Sequence, residues 1–253
     1  MLYALLVTTL AGLATALGGG VAVLRRPGPK LMAGAMGFAA GVMLSISLLD
    51  LIPEALEGYM QAFSPLGAAL CAISLLLMGM VAAGLLDGCL PEQKPPTGQT
   101  EEQARVLRSA LVTGLALLLH NLPEGVLTMF ASVADPHLGL RLAVAVGLHN
   151  LPEGIAVAAP VYFATGKRGR AMGAALLSGL AEPVGAVLAY FFLGRFITPG
   201  FLNGLLLLVA GIMCWVSVFE LLPTSLAFGK RGHTAGGFAL GLFVMILGIA
   251  MFS

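Results

Sequence analysis

Eight stretches of this chain run for about 20 residues each with hardly a charge among them, at approximately 2–24, 31–54, 66–87, 106–131, 139–164, 170–192, 200–227 and 234–252. A helix needs about 20 apolar residues to cross the hydrocarbon core of a bilayer. Inside that core every backbone polar group must be bonded internally, which leaves only helices and closed barrels. Barrel strands are about half as long and alternate polar with apolar residues, and these runs do neither. The fold class that follows is an all-α polytopic membrane protein, with eight transmembrane helices forming a single domain over residues 1–253. Only 10% of residues are charged, against roughly 25% in a soluble chain. That excludes an ordinary water-soluble enzyme and a disordered protein. A net charge of +1 excludes a nucleic-acid binder, which needs a basic face to neutralise phosphates. Cys71, Cys89 and Cys214 have no CxxC spacing, so they suggest small packing residues, not a disulfide framework or a thiolate cage.

Most connections are short, so neighbouring helices are expected to be antiparallel. The longer one, about 88–105, contains Pro91, Glu92, Lys94, Pro95, Pro96, Glu101 and Glu102 and is expected to be a mobile cytoplasmic linker. It holds no histidine, so nothing marks it as a metal-sensing loop. Of the 13 lysines and arginines, eleven fall on one side of the predicted spans: Arg25, Arg26, Lys30, Lys94, Arg105, Arg108, Lys167, Arg168, Arg170, Lys230 and Arg231. Arg141 and Arg195 fall on the other. Cytoplasmic loops carry the excess of positive charge. The split therefore puts both termini outside the cytoplasm of a multi-pass protein in the cell's inner (plasma) membrane. No lysine or arginine precedes the first apolar run, which reads as a retained helix and not as a cleaved signal peptide.

Two segments match at an offset of 170 residues: Ala40-Gly41-Val42-Met43 with Asp50-Leu51-Ile52-Pro53, and Ala210-Gly211-Ile212-Met213 with Glu220-Leu221-Leu222-Pro223. A weaker likeness pairs Gly12-Leu13-Ala14-Thr15 and Gly18 with Gly179-Leu180-Ala181-Glu182 and Gly185. The first and second spans thus resemble the sixth and seventh. With the topology above they run in opposite directions, an inverted repeat of the kind found in transporters that bind cargo near the midplane.

The strongest repeat lies between them. His120-Asn121-Leu122-Pro123-Glu124-Gly125 recurs as His149-Asn150-Leu151-Pro152-Glu153-Gly154, each inside an apolar span. Residues four apart share a helix face, so His120 stacks over Glu124 and His149 over Glu153. Each proline removes a backbone N–H and clashes with the carbonyl a turn earlier. Each glycine permits close helix approach. An acid at the centre of a membrane helix costs about 2.5–3.5 kcal/mol on insertion scales. Glu124, Glu153 and Glu182 have no lysine or arginine deep in any span to pair with. A divalent cation supplies the missing charge, and imidazole with carboxylate suits Zn²⁺, Fe²⁺ and Mn²⁺ better than Ca²⁺ or Mg²⁺. The fourth and fifth spans form a hairpin, which places both motifs roughly 14–18 Å from the outer surface. Glu182, beside Pro183 in mid-membrane, is the natural contribution of a third helix.

With these residues the chain resembles the ZIP (Zrt-/Irt-like protein) family of divalent metal transporters, most closely its bacterial ZupT/GufA-like branch. The doubled His-Asn-Leu-Pro-Glu-Gly and Glu182-Pro183-Val184-Gly185-Ala186 carry the likeness, which runs through nearly the whole chain. The resemblance implies a 3+2+3 helix bundle that admits metal ions to the cytoplasm by sliding or rocking of one bundle on the other. It also implies a binuclear site. His120, His149, Glu124 and Glu153 would form the main site, flanked by Met43. Asn121, Asn150 and Glu182 would hold a second ion, with Glu124 and Glu153 bridging. Many members have an aspartate where Asn150 stands, and a histidine-rich loop that this chain lacks.

The expected cargo is zinc, with iron, manganese, cobalt and cadmium as competitors and no organic cofactor. The expected partners are metal ions and the bilayer, with a homodimer open and no nucleic acid. Asp50, Glu54 and Glu57 near the outer end, and Glu220 near the inner end, form either an electronegative entrance and exit or ordinary interfacial carboxylates. Ser47 and Ser217, one turn earlier, either hydrate a passing ion or bond the backbone. Met213 reads as packing, His137 and His233 as solvated loop residues. Gly37/Gly41 and Gly237/Gly241 read as helix contacts, and which of them makes a dimer is not legible. The alternative function is an intramembrane metalloenzyme. Against it, His-Glu-x-x-His is absent, and of four histidines two lie outside the spans. An organic-anion transporter would need a fixed positive group at mid-membrane, and none is available.

Overall fold

A computed structural model describes residues 1–89, 100–193 and 198–252. Lys94, Arg195 and most of the connection predicted at 88–105 lie outside the described residues. The eight helices long and apolar enough to cross a membrane are α1 (Leu2–Val23), α2 (Pro29–Met60), α3 (Pro65–Cys89), α4 (Glu101–Ala134), α5 (Pro136–Thr165), α6 (Arg168–Phe191), α7 (Pro199–Ala227) and α8 (Arg231–Phe252). There is no strand among the described residues.

Most helices start earlier than the sequence reading has them, and side-chain caps explain two of these starts, those of α4 and α5. The Thr100 side chain accepts from the Gln103 N–H at 3.2 Å, and the Gln103 side chain accepts from the Thr100 N–H at 3.0 Å. This reciprocal box satisfies two otherwise orphaned donors. Glu101 and Glu102 become the first turn of α4, where the helix dipole favours acids. The connection is therefore shorter than 88–105 at both ends. The Asp135 carboxylate likewise accepts from the His137 N–H at 2.8 Å. His137 and His233, both read as loop residues, lie in helices and are exposed.

The helices sort into two packed groups. In one, α1 lies against α5 and α6, and α4 against α5 and α6. In the other, α2 lies against α8 and α3 against α7, with α2 and α7 also touching. The groups meet chiefly where α2 crosses α5 and where α4 crosses α7. At the crossing of α2 and α8, a Cβ on Gly37 or Gly41 would overlap the backbone of Thr234 or Phe238, and one on Gly237 or Gly241 would overlap Gly34 or Phe38. Both glycine pairs are thus consumed within one protomer. Large apolar side chains remain exposed on α3 (Leu70, Leu77, Leu85) and α8 (Phe243, Leu247).

The offset-170 likeness extends to local geometry. α2 widens into a π-helical turn at Ser47–Leu51, and α7 does so at Val216–Leu221. Each precedes a proline, Pro53 or Pro223, whose ring cannot pack under the carbonyl a turn earlier. A π turn is one way a helix absorbs that mismatch. Ser47 and Ser217 each donate to the carbonyl four residues back, Met43 and Met213, at 2.8 Å.

Ser225 in α7 ties three helices together. Its hydroxyl lies 2.6 Å from the Ala33 carbonyl of α2 and 2.8 Å from Thr234 Oγ1 of α8, fully buried. Interhelical hydrogen bonds in membranes are worth roughly 0.6–1.7 kcal/mol. Ser225→Ala is expected to lower stability by about that amount. Thermal unfolding of the purified protein checks this, and an unchanged midpoint contradicts it.

Candidate metal centre

Both hexapeptides lie in the middle of long helices that continue through Pro123 and Pro152. His120, Asn121, Glu124, His149, Asn150, Glu153 and Glu182 are all buried. They converge where α4, α5 and α6 pack. His149 Nε2 lies 2.5 Å from Glu124 Oε1, and His120 Nε2 lies 3.6 Å from Glu124 Oε2 and 3.4 Å from Glu153 Oε1. One atom each from His120, Glu124 and His149 falls within 4.8 Å of the others. Glu182 joins from α6, its Oε1 accepting from Asn150 Nδ2 at 2.5 Å.

The remaining oxygens are poorly satisfied. Asn121 Oδ1, Asn150 Oδ1, Glu124 Oε2, both Glu153 oxygens and Glu182 Oε2 are buried without a hydrogen-bond partner. Buried polar groups are normally paired, and an unpaired buried charge is far costlier than an unpaired amide. Histidine is the only basic side chain in the ion pairs of this cluster among the described residues. Imidazole nitrogens and carboxylate and amide oxygens converging in a buried space are a donor set suited to a borderline divalent ion.

The backbone around the cluster is arranged twice over. Asn150 Nδ2 donates to the Ala11 carbonyl of α1 at 3.0 Å, and Asn121 Nδ2 donates to the Ser178 carbonyl of α6 at 3.0 Å. Gly154 lies against the Thr15 carbonyl, and Gly125 against that of Glu182. Gly18 lies against the Leu151 carbonyl, and Gly185 against that of Leu122. Every contact between α5 and α1 in this set thus has a counterpart between α4 and α6. Fixing each amide N–H₂ to a neighbouring backbone leaves the amide oxygen as the free acceptor.

The other residues singled out in the sequence lie further along the helices. Met43 is buried in α2, within an apolar cluster that also contains Leu117, Ala156 and Met213. Asp50 is half-buried on the π turn of α2, whereas Glu54 and Glu57 are exposed. The hydroxyls of Ser47 and Ser217 bond the backbone, as described above. Glu220 is buried on the π turn of α7. Arg108 of α4 pairs with Asp87 of α3 at 2.8 Å. Sequence reasoning did not single out Ser178 or the Ala11 carbonyl as anchors. The likeness of Gly12–Thr15 to Gly179–Glu182 was the available signal, since Ala11 and Ser178 precede the matching glycines.

A family model described as ZIP Zinc transporter matches residues 87–253. Among curated proteins, a zinc transporter ZupT of Corynebacterium efficiens is 37% identical over 262 residues, covering 100% of this chain and 98% of the relative. A zinc transporter ZupT of Corynebacterium glutamicum is also 37% identical, covering 100% of both chains. One of Akkermansia muciniphila is 40% identical over 98% of this chain and 96% of its own length.

Proposed function

The chain belongs to the ZIP zinc transporter family, and from that membership we propose that it imports zinc into the cytoplasm through the buried centre between α4, α5 and α6. A member of this family is a transporter and not an enzyme, which sets aside the metalloenzyme alternative. The observation that carries the proposal is the convergence of His120, Glu124 and His149 within 4.8 Å in the interior of membrane-competent helices. His120, His149, Glu124 and Glu153 are the main site, flanked by Met43. Asn121, Asn150 and Glu182 hold a second ion, with Glu124 and Glu153 shared. Asparagine at 150 makes that second site the weaker one, because it brings no charge. Iron, manganese, cobalt and cadmium compete, since the donor set does not separate them sharply.

The division into two helix groups suggests how cargo crosses. Every proposed ligand except Met43 belongs to the group of α1, α4, α5 and α6. The half-buried and buried carboxylates of the pathway, Asp50 and Glu220, belong to the other. Shifting the first group against the second carries the centre from the Asp50 end toward the Glu220 end. Ligands shared between ions hold cargo loosely enough to release it, where a closed tetrahedral site would trap it. The pseudo-repeated segments form an inverted repeat, as transporters that alternate access commonly do. The protein lies in the inner membrane with both termini outside the cytoplasm. Lipid covers the exposed faces of α3 and α8, and those faces are where a second copy would pair.

The test is uptake into liposomes that carry the purified protein and a trapped zinc-sensitive dye. Zinc accumulation above protein-free liposomes is expected, inhibited by Cd²⁺, Co²⁺, Mn²⁺ or Fe²⁺ but not by equal Mg²⁺ or Ca²⁺. Uptake no faster than in protein-free liposomes overturns the proposal.

A further inference from the structure

The duplicated backbone arrangement has one chemical asymmetry. Exchanging α4 with α5 and α6 with α1 maps Asn121 onto Asn150, Gly125 onto Gly154, Ser178 onto Ala11, Gly179 onto Gly12, and Gly185 onto Gly18. Under the same exchange Glu182 falls on Thr15. Each of these two residues sits three beyond its glycine, and each gives its carbonyl to the glycine of a hexapeptide. Their Cβ atoms also occupy matching places. A Cβ built on Gly12 would lie 3.4 Å from that of Glu182, and one built on Gly179 would lie 3.0 Å from that of Thr15.

The side chains end differently. Glu182 is long enough to reach across to Asn150 and accept its amide hydrogen. Thr15 is two heavy atoms shorter and reaches no partner: its hydroxyl is fully buried and unbonded. The other buried threonine of α1, Thr8, bonds the Ala4 carbonyl four residues back at 2.9 Å, the usual resort of a threonine in a helix. Thr15 does not take it. The two asparagines differ in what their amide N–H₂ groups meet: Asn150 Nδ2 donates to the Glu182 carboxylate, whereas Asn121 Nδ2 has only the carbonyl and hydroxyl of Ser178, and the Oδ1 of each is buried and unbonded. One half of the centre is closed by a carboxylate, and the corresponding half is left open.

We propose that Thr15 is the counterpart of Glu182 and a specificity-determining residue of the transport site, whose neutral hydroxyl solvates cargo on the α1 side and holds the number of carboxylates at three. The inference rests on reading the centre as the cargo site. Affinity at oxygen-rich cation sites is tuned by the number of charged ligands. A fourth carboxylate at position 15 would bind zinc more tightly and release it more slowly. The hydroxyl gives the ion an oxygen to exchange with water without adding that charge.

The experiment moves the carboxylate. Zinc binding to the purified full-length chain is measured by equilibrium dialysis for Glu182→Thr, Thr15→Glu, and the double variant Thr15→Glu/Glu182→Thr. Glu182→Thr is expected to weaken binding by roughly 10–100-fold, the range seen when groups supporting a metal site are lost. The double variant is expected to regain most of that loss. Thr15→Glu alone is expected to bind more tightly than the natural chain and, in liposomes, to lower KM and maximal rate together. A monodisperse double variant no better than Glu182→Thr overturns the inference while leaving the centre intact. Full zinc binding by Glu182→Thr, with unchanged stoichiometry, overturns the place of Glu182 in the second site and this inference with it, whereas loss of the main site is read separately from Glu124→Ala. Should an acid at 15 prevent folding, Thr15→Cys is the second probe. It is expected to add a cadmium–thiolate absorption band that the natural chain and Thr8→Cys lack, and absence of that band overturns the inference.

Discussion

Glu124→Ala is expected to abolish zinc uptake and to remove the stabilisation that zinc confers on the purified protein. Among the described residues, Glu124 is the one carboxylate in ion-pair range of both His149 and His120, at 2.5 Å and 3.6 Å. Truncating it removes a proposed ligand and frees both imidazoles from their shared partner. A ligand that binds only the folded state stabilises it by about 2.7 kcal/mol at a hundredfold excess over Kd, so a natural chain with an intact centre should melt measurably higher in zinc. The variant should not. Without zinc the two proteins should differ less, because the alanine variant no longer carries a buried carboxylate that is incompletely bonded. The pair of melting curves therefore separates a ligand from a structural residue: a structural glutamate would lower both midpoints equally. Glu124→Gln keeps the shape and loses the charge, and it too should fail to transport. Zinc-dependent stabilisation equal to that of the natural chain in Glu124→Ala would contradict the assignment.

The cluster was legible in the sequence because it is chemically out of place. Histidines, asparagines and glutamates repeated within apolar runs have no packing reason to be there, so the doubled hexapeptide and Glu182 announce themselves by their cost. What escaped was whatever has no side-chain signature. The Ala11 carbonyl that anchors Asn150 is backbone, and any residue could supply it. Ser178 is a small residue among small residues. The π turns of α2 and α7 could be suspected from Pro53 and Pro223, but a proline announces a disturbed helix without saying whether it kinks or widens. The capping box at Thr100 was visible in the string Thr100–Gln103, yet the prolines before it favoured reading the acids as linker. The Gly37/Gly41 and Gly237/Gly241 faces illustrate the general difficulty. Small-residue faces tell that a helix packs closely, not on which partner, and only the fold assigns them to each other.

Gly125→Val is expected to be among the most damaging substitutions outside the ligand set, because it breaks the centre by wedging its helices apart. A Cβ at residue 125 would overlap the carbonyl oxygen of Glu182 and crowd its carbonyl carbon and Cα. Those are backbone atoms of α6, so no rotamer change relieves the clash and the helix must retreat. On the reverse side Gly185 of α6 makes the same close approach to the Leu122 carbonyl of α4, which fixes the crossing from both directions. Overpacking a tight interior costs about 1–3 kcal/mol, occasionally more. Here the displacement also carries Glu182 away from Asn150, so zinc affinity should fall together with the melting midpoint. Gly125→Ala should show a weaker form of both effects. Gly173→Ala is the informative contrast. It lies on the same α6 with nothing within 4 Å of its added Cβ, and replacing a helical glycine there should stabilise by roughly 0.5–1 kcal/mol. Opposite signs for the two alanine substitutions in melting, with zinc binding weakened in Gly125→Ala alone, are what close backbone packing at residue 125 requires. A Gly125→Ala chain that melts and binds zinc like Gly173→Ala would mean that α4 and α6 do not meet there.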